Sequence, residues 1–193
     1  MTREEIVKYL KEKADLNTAD LDYFFQKAKF KSLQKNEHLI RTGENTVHFV
    51  LIQSGCLMTY FKDQNEHVHA IQFGQEMWWT GDLDAIFNQH QSNYAIKALA
   101  PAEVYLLSKE DFEDLNQKHP AFERYFRELF QNALISHQKR IIRNISFTAE
   151  EKYLEFVKLH PRLELLVPQK YIASYMGITP EFLSKLKRKL AQS

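Results

Sequence analysis

Residues 167–190 constrain this chain more than any other stretch. They read Val167-Pro-Gln-Lys-Tyr-Ile-Ala-Ser-Tyr-Met-Gly-Ile-Thr-Pro-Glu-Phe-Leu-Ser-Lys-Leu-Lys-Arg-Lys-Leu190. Ile172, Ala173 and Met176 fall at helical spacing, and Leu183, Leu186 and Leu190 do so again. Between the two runs Gly177 suits the positive φ of a helix terminus. Thr179 is a good N-cap and Pro180 suits a first helical position. The pattern predicts a helix over 168–176, a tight turn with Ile178 plugging the core beneath it, and a second helix over 180–190. Ala173 is small, as a close helix crossing requires.

The inward leucines leave Pro180, Glu181, Ser184, Lys185, Lys187, Arg188 and Lys189 on or near the outer face of the second helix. A helix that enters a DNA groove reads bases with its first turns and grips phosphates with nearby polar groups. A carboxylate facing phosphate would repel DNA, so Glu181 makes sense if it accepts from a cytosine amino group. Lys185, one turn on, can donate to guanine. Gln169 and Thr179 are the expected phosphate anchors, with Pro180, Ser184, Lys187 and Arg188 completing the surface. The plainer alternative is an acid favoured by the helix dipole and lysines that keep the protein soluble.

Charge is distributed to match. Residues 1–136 carry 20 Asp/Glu against 15 Lys/Arg, whereas residues 137–193 carry 5 against 11. An acidic front joined to a basic end fits a nucleic-acid-binding segment attached to a domain with another task. The single cysteine excludes an internal disulfide framework and a four-cysteine iron–sulfur site within one chain. No apolar run approaches a membrane span, and no signal region follows the charged N-terminus. A soluble cytoplasmic protein without a membrane partner is expected.

The first thirty residues read helical, with Thr18 as a cap and Leu21, Phe24, Phe25 and Ala28 on one face. The period then changes. Val47, Phe49 and Leu51 alternate with His48, Val50 and Ile52, as in a strand buried on both faces. Ser54-Gly55 turns the chain into a partner strand at 57–61, and strands are expected at 67–73, 94–98 and 103–107. Ser108 opens a short helix that ends near Pro120. A long helix follows over 121–144, with Phe122, Phe126, Leu129 and Ala133 as its expected dimer seam and Phe130, Leu134, Ile141 and Ile145 widening the stripe. Thr148-Ala-Glu-Glu151 caps a further helix, and 163–167 can supply at most a strand. The expected fold is α+β: an antiparallel, jelly-roll-like β-roll with flanking helices over 1–120, a dimerisation helix over 121–145, and a small helix-turn-helix domain over 146–193.

At this level the chain resembles the Crp/Fnr family of bacterial transcription regulators over nearly its whole length. The most specific part is Ile172-Ala-Ser-Tyr-Met-Gly-Ile-Thr-Pro-Glu-Phe-Leu-Ser-Lys-Leu186, where Glu181 and Lys185 stand at the family's base-reading positions, with Lys185 in place of the more usual Arg. Arg41-Thr-Gly-Glu44 and Phe49-Val-Leu-Ile-Gln-Ser-Gly55 are similar to the family's first turn and strand. Gly81-Asp82-Leu83 matches the start of its phosphate-binding cassette. The resemblance implies a homodimer on palindromic double-stranded DNA, with RNA polymerase as a further partner. Two features depart from the pattern. Only three residues follow Leu190 here, and no counterpart of the usual two-stranded wing is expected. The cassette arginine that pairs with the cyclic phosphate of cyclic AMP is missing, Gln91-Ser-Asn-Tyr94 standing there instead, and Lys97 is the sole cation between Lys62 and Lys109. A buried phosphate without a charged partner is costly. Cyclic AMP is therefore not the expected effector, and the roll holds another small molecule or none. Trp78, Trp79, Gly81, Asp82, Leu83, Ser92, Asn93 and Tyr94 are the candidate pocket residues.

Two other readings compete. A sensor roll could act on a protein partner instead of DNA, though the basic terminal helix argues otherwise. His67-x-His69 puts two imidazoles on one strand face, as in cupin-like metal proteins, but such a site needs a further carboxylate and a third histidine, and Glu76 lies past Gly74 while His90 falls in an expected loop. No Gly-rich phosphate loop or nucleophile elbow appears, and an enzyme is not expected.

Overall fold

The computed structural model describes residues 2–45 and 48–192. Val47, expected in the first long strand, lies outside them. Two helices open the chain, α1 (Arg3–Ala14) and α2 (Thr18–Lys27). The α2 cap is Asn17, one residue before the expected Thr18. Its side chain accepts from the Asp20 amide, and the Asp20 carboxylate accepts from the Asn17 amide in return. A cap at Thr18 would have placed Leu21 at the reciprocating position, and leucine has no oxygen to offer.

Among the described residues eight strands follow: β1 (Lys29–Leu33), β2 (His38–Ile40), β3 (Phe49–Ser54), β4 (Leu57–Lys62), β5 (Val68–Gly74), β6 (Trp79–Thr80), β7 (Ala95–Ala98) and β8 (Ala102–Leu107), with α3 (Leu83–Asn88) between β6 and β7. They form two antiparallel sheets ordered β1-β8-β3-β6 and β2-β7-β4-β5. Strands β1, β2 and β6 and helix α3 were not anticipated. The sheets face each other across Leu33, Val50, Ile52, Leu57, Ile96 and Val104. Period-two alternation sends Phe49 and Leu51 of β3 the other way, into a helical layer. That explains why every residue from Phe49 to Gln53 is buried. The β3–β4 turn needs Gly55: φ is +90°, and a Cβ there would stand 2.3 Å from the Pro101 carbonyl oxygen.

After the roll come α4 (Lys109–Lys118), α5 (Pro120–Ser146), α6 (Ala149–Leu159), α7 (Pro161–Leu166), α8 (Gln169–Met176) and α9 (Pro180–Leu190). Ser108 caps α4, and a full capping box at Thr148 starts α6. The segment expected to give at most a strand is α7, a short helix with Pro161 at its first position and Leu163 buried. The α5 helix has 27 residues, about 40 Å. Its first half packs with α1, α2, α4 and the outer face of β3 and β8. The outer face of the second sheet is covered instead by α6 to α9, in one apolar cluster that joins Tyr60, Ala70 and Phe73 to Ile172, Met176 and Leu183. The expected boundary at residue 146 is thus crossed by a continuous core. No helix among the described residues is long and apolar enough to cross a membrane.

Candidate nucleic-acid interface and effector cavity

The α8–α9 pair is built by local rules. Gly177 has φ +70°, and its amide closes the α8 terminus on the Ala173 and Ser174 carbonyls. The Thr179 hydroxyl accepts from the Phe182 amide at 3.2 Å, and Pro180 takes the first helical position. Ala173, Met176, Leu183 and Leu186 are buried between the helices, with Ile178 packed against them. Pro180, Glu181, Lys185 and Arg188 are exposed, Ser184 is half-buried at the edge of this face, and Gln169 is half-buried at the start of α8. Glu181, Lys185 and Arg188 follow i, i+4, i+7 spacing and so share one face. Lys187 is differently placed: its Nζ donates to Glu164 Oε1 at 2.6 Å. That carboxylate also accepts from the Tyr153 hydroxyl at 3.1 Å, and the lysine ammonium holds it below the usual carboxylate range. Lys189 pairs with Glu150 at 3.0 Å.

The opposite side of α8 is fastened to the roll. Strand β5 is a sheet edge, and an open edge leaves backbone groups unpaired. The Ser174 hydroxyl accepts from the Ala70 amide at 3.0 Å and donates to the Val68 carbonyl at 2.8 Å, closing that edge. Arg140 of α5 donates to the Ile71 carbonyl and lies 4.0 Å from the centre of the Tyr175 ring. Lys97 Nζ donates to the Tyr171 hydroxyl at 2.9 Å. Arg162 pairs with Glu76 at 2.7 Å.

A second feature lies between the roll and the middle of α5, a cavity of about 330 Å³. Trp79, Gly81, Asp82, Leu83 and Tyr94 line it from the roll. Ser92 and Asn93 stand behind Asp82: the Ser92 hydroxyl donates to Asp82 Oδ2 at 2.9 Å, the Asn93 amide does so at 3.1 Å, and the Ala85 amide donates to Oδ1 at 3.2 Å. Trp78 is elsewhere. It packs against the inter-sheet core and sits edge-on to His160. Sequence reasoning missed the α5 wall of Phe126, Leu129, Phe130, Ala133 and His137, although the phenylalanine stripe of that helix was visible. Trp79 fixes the junction of the two walls, donating from its indole nitrogen to the Tyr125 hydroxyl at 2.9 Å and meeting Phe126 edge-on.

Residues 30–119 match the cyclic nucleotide-binding domain family. The stretch similar to that domain forms the roll of a Crp/Fnr-type fold. Three solved structures show the likeness over most of the chain. The c-di-GMP-responsive global regulator CLP of Xanthomonas campestris is 11% identical, covering 91% of this chain and 92% of its own, with a TM-score of 0.73. FixK2 of Bradyrhizobium japonicum is 16% identical over 86% of this chain and 85% of its own, with a TM-score of 0.74. A Crp/Fnr-family protein from Eubacterium rectale is 16% identical over 92% of this chain and 84% of its own, with a TM-score of 0.71. No curated protein sequence matches the chain.

Within this Crp/Fnr-type fold the departures acquire positions. Lys97, the one cation near the cassette in sequence, points away from the cavity to Tyr171 and to the Tyr60 ring. Cys56 is fully buried, and burial pushes its thiol up to about 12. His67 and His69 both turn to Asp63, at 3.4 and 2.9 Å, and these contacts, with His69 foremost, lower that carboxyl to about 2. Among the described residues no group of three His, Cys, Asp or Glu is placed to hold a metal ion. The seam residues expected on α5 divide. Phe122 and Phe126 are 0% and 2% exposed inside the chain's own core, so they are not available to a partner. Leu129 is half-buried at the cavity and Ala133 is exposed at its rim. The uncovered apolar side chains lie further on: Leu134, Ile141 and Ile145 are 61%, 59% and 81% exposed.

Proposed function

We propose that the chain is a homodimeric, sequence-specific DNA-binding transcription regulator of the cytoplasm, with the cavity as its effector site. The observation that carries this reading is the outer face of α9, where Glu181, Lys185 and Arg188 stand together in solvent beyond a well-capped turn. Glu181 and Lys185 occupy the base-reading turns, and Arg188, Thr179 and Gln169 reach toward backbone phosphates. The dimer reading rests on Leu134, Ile141 and Ile145. A half-helix with exposed apolar residues at these spacings is stabilised by a second copy of itself. A two-fold pair would present two reading helices about 34 Å apart, matching a palindromic site. RNA polymerase is the protein partner such a regulator would meet on DNA.

The effector is not cyclic AMP on this reading, because the cavity wall carries neither lysine nor arginine. Occupancy would act through α5, which lines the cavity, presents the dimer stripe and holds β5 and Tyr175 through Arg140. Such a signal requires that ligand bind two arrangements of these contacts unequally.

Selection of bound duplexes from a random pool tests the reading. The expected product is an inverted repeat with half-sites one helical turn apart. Ile141→Asp is expected to give a folded monomer that loses the repeat. Failure to retain any oligonucleotide at low salt overturns the DNA assignment.

A further inference from the structure

Several features of the molecule end within contacts already described. The groove beside Phe182 and Leu154 is apolar and open, and nothing in the structure indicates what covers it. The His67–His69–Asp63 turn is internally paired. The cavity carries an inference further, because its polar groups are unusually committed.

We infer that the cavity takes an uncharged, ring-bearing small molecule and rejects phosphorylated and carboxylated ligands; this rests on the reading of the cavity as the effector site. Its floor already holds an anion, the chain's own Asp82. That carboxylate is 1% exposed, and it engages the Ser92 hydroxyl and the Ala85 and Asn93 amides. Ser92 and the start of the cassette are the groups a cyclic phosphate would need, and here they face a built-in carboxylate instead. An incoming phosphate would meet like charge, committed donors and no lysine or arginine. A cation gains no more. Asp82 already accepts three hydrogen bonds, and Asp84 at the rim pairs with His90 at 3.1 Å and accepts from the Asn88 side-chain amide at 2.6 Å.

The remaining wall selects for rings. Trp79, Phe126, Phe130 and Tyr94 surround the space, and the Thr59 and Thr80 hydroxyls at its wall bond to each other at 3.0 Å. Tyr94, His137 and Gln72 line the space and supply polar groups that can orient a guest by hydrogen bonds. The volume, about 330 Å³, falls at the small end of ligand sites.

Two probes with the same aromatic skeleton test the charge rule directly: neutral N-phenyl-1-naphthylamine and its sulfonated counterpart 1-anilinonaphthalene-8-sulfonate. Titration of the full chain at pH 8, followed by probe emission, is expected to show saturable binding of the neutral probe at one site per chain. The sulfonate is expected to bind at least about tenfold more weakly. Cyclic AMP and cyclic di-GMP are expected not to displace the neutral probe. Ala133→Trp on the α5 rim and Leu83→Trp on the roll rim should each abolish the saturable signal while keeping the wild-type thermal transition; using both walls separates filling of the cavity from any change in dimerisation. Sulfonate or cyclic nucleotide binding as tight as the neutral probe, lost in both tryptophan variants, would show a real site of the wrong class and overturn the inference alone. Absence of neutral-probe binding, or binding that survives both variants, would overturn the inference and the effector cavity together. Duplex retention by the same preparation reports on the DNA reading independently.

Discussion

The cavity in the roll and the outer face of α9 handle charge in opposite ways. In the cavity, the one buried carboxylate is matched donor for donor by its own chain. On α9, Glu181, Lys185 and Arg188 stand in water without an ion pair among the described residues. The contrast follows from burial. A charge withdrawn from water must be paired within the fold, whereas an exposed one can be left for a partner. The groups that fold the protein and the groups proposed to meet DNA are thereby segregated, and exchanging a residue in one region should have consequences that the same exchange in the other does not.

Replacing each carboxylate with alanine measures that difference. Asp82→Ala removes the α3 cap and leaves the Asn93 amide without its acceptor, whereas the Ser92 hydroxyl retains the Tyr94 carbonyl at 2.9 Å, so a loss of about 2–4 kcal/mol is expected in urea unfolding. Glu181→Ala should stay within about 0.5 kcal/mol of wild type while relaxing preference at one base position. Equal stability losses, or an Asp82→Ala protein as stable as wild type, would break the contrast.

The contact that joins the two regions gives the next largest effect. Ser174 belongs to α8, the first helix of the proposed reader, and completes the edge of β5. Ser174→Ala leaves the Ala70 amide and Val68 carbonyl to water and is expected to cost about 1–3 kcal/mol. Its specific signature is faster hydrogen exchange at the Ala70 amide, with the Leu183 and Leu186 amides of α9 unchanged. Unaltered protection at Ala70 would mean that the serine is not what closes this edge.

Much of this arrangement was legible in the sequence, and the failures share a cause. The α8–α9 turn could be read because Gly177, Thr179 and Pro180 act on their own backbone, where the determinants are a few residues apart. The two-sided burial of β3 could be read from its alternation. What spacing cannot say is which partner covers an apolar stripe. Phe122 and Phe126 have the periodicity of a dimer seam, yet the roll lies beside them and buries them, and the stripe becomes free only from Leu134 onward. Lys97 met the same limit: strand alternation allowed either face, and Tyr171, 74 residues away, decided it. Strand β1 was missed because it is short, with Phe30 exposed and lysines on either side. Helix α7 was missed because six residues hold too little periodicity, although Pro161 at its start was a usable signal. The engagement of Asp82 could not be foreseen, since it depends on the chain returning Ser92, ten positions on, to its side.

The smallest expected effect concerns Lys187, which lies on the reader but is treated as the cavity treats its charge. Lys185 is exposed, whereas Lys187 is tied to Glu164, a bond that links α9 to α7. Lys187→Ala should therefore loosen that link more than it weakens DNA binding, and Lys185→Ala should do the reverse. The coupling measured by a double-mutant cycle with Glu164→Gln should be under about 1 kcal/mol, because the lysine side chain is partly in solvent. The pH dependence has a definite sign. Glu164 is lowered chiefly by the Lys187 hydrogen bond, so its contribution is complete above the ordinary carboxylate range and fades as pH falls through its folded value. Wild type should lose slightly more stability than Glu164→Gln on acidification from pH 6 to pH 3. Identical acid profiles, together with a uniform loss of DNA affinity in Lys187→Ala, would place Lys187 with the free cations of the reading face and shift the boundary between the two treatments of charge by one helical position.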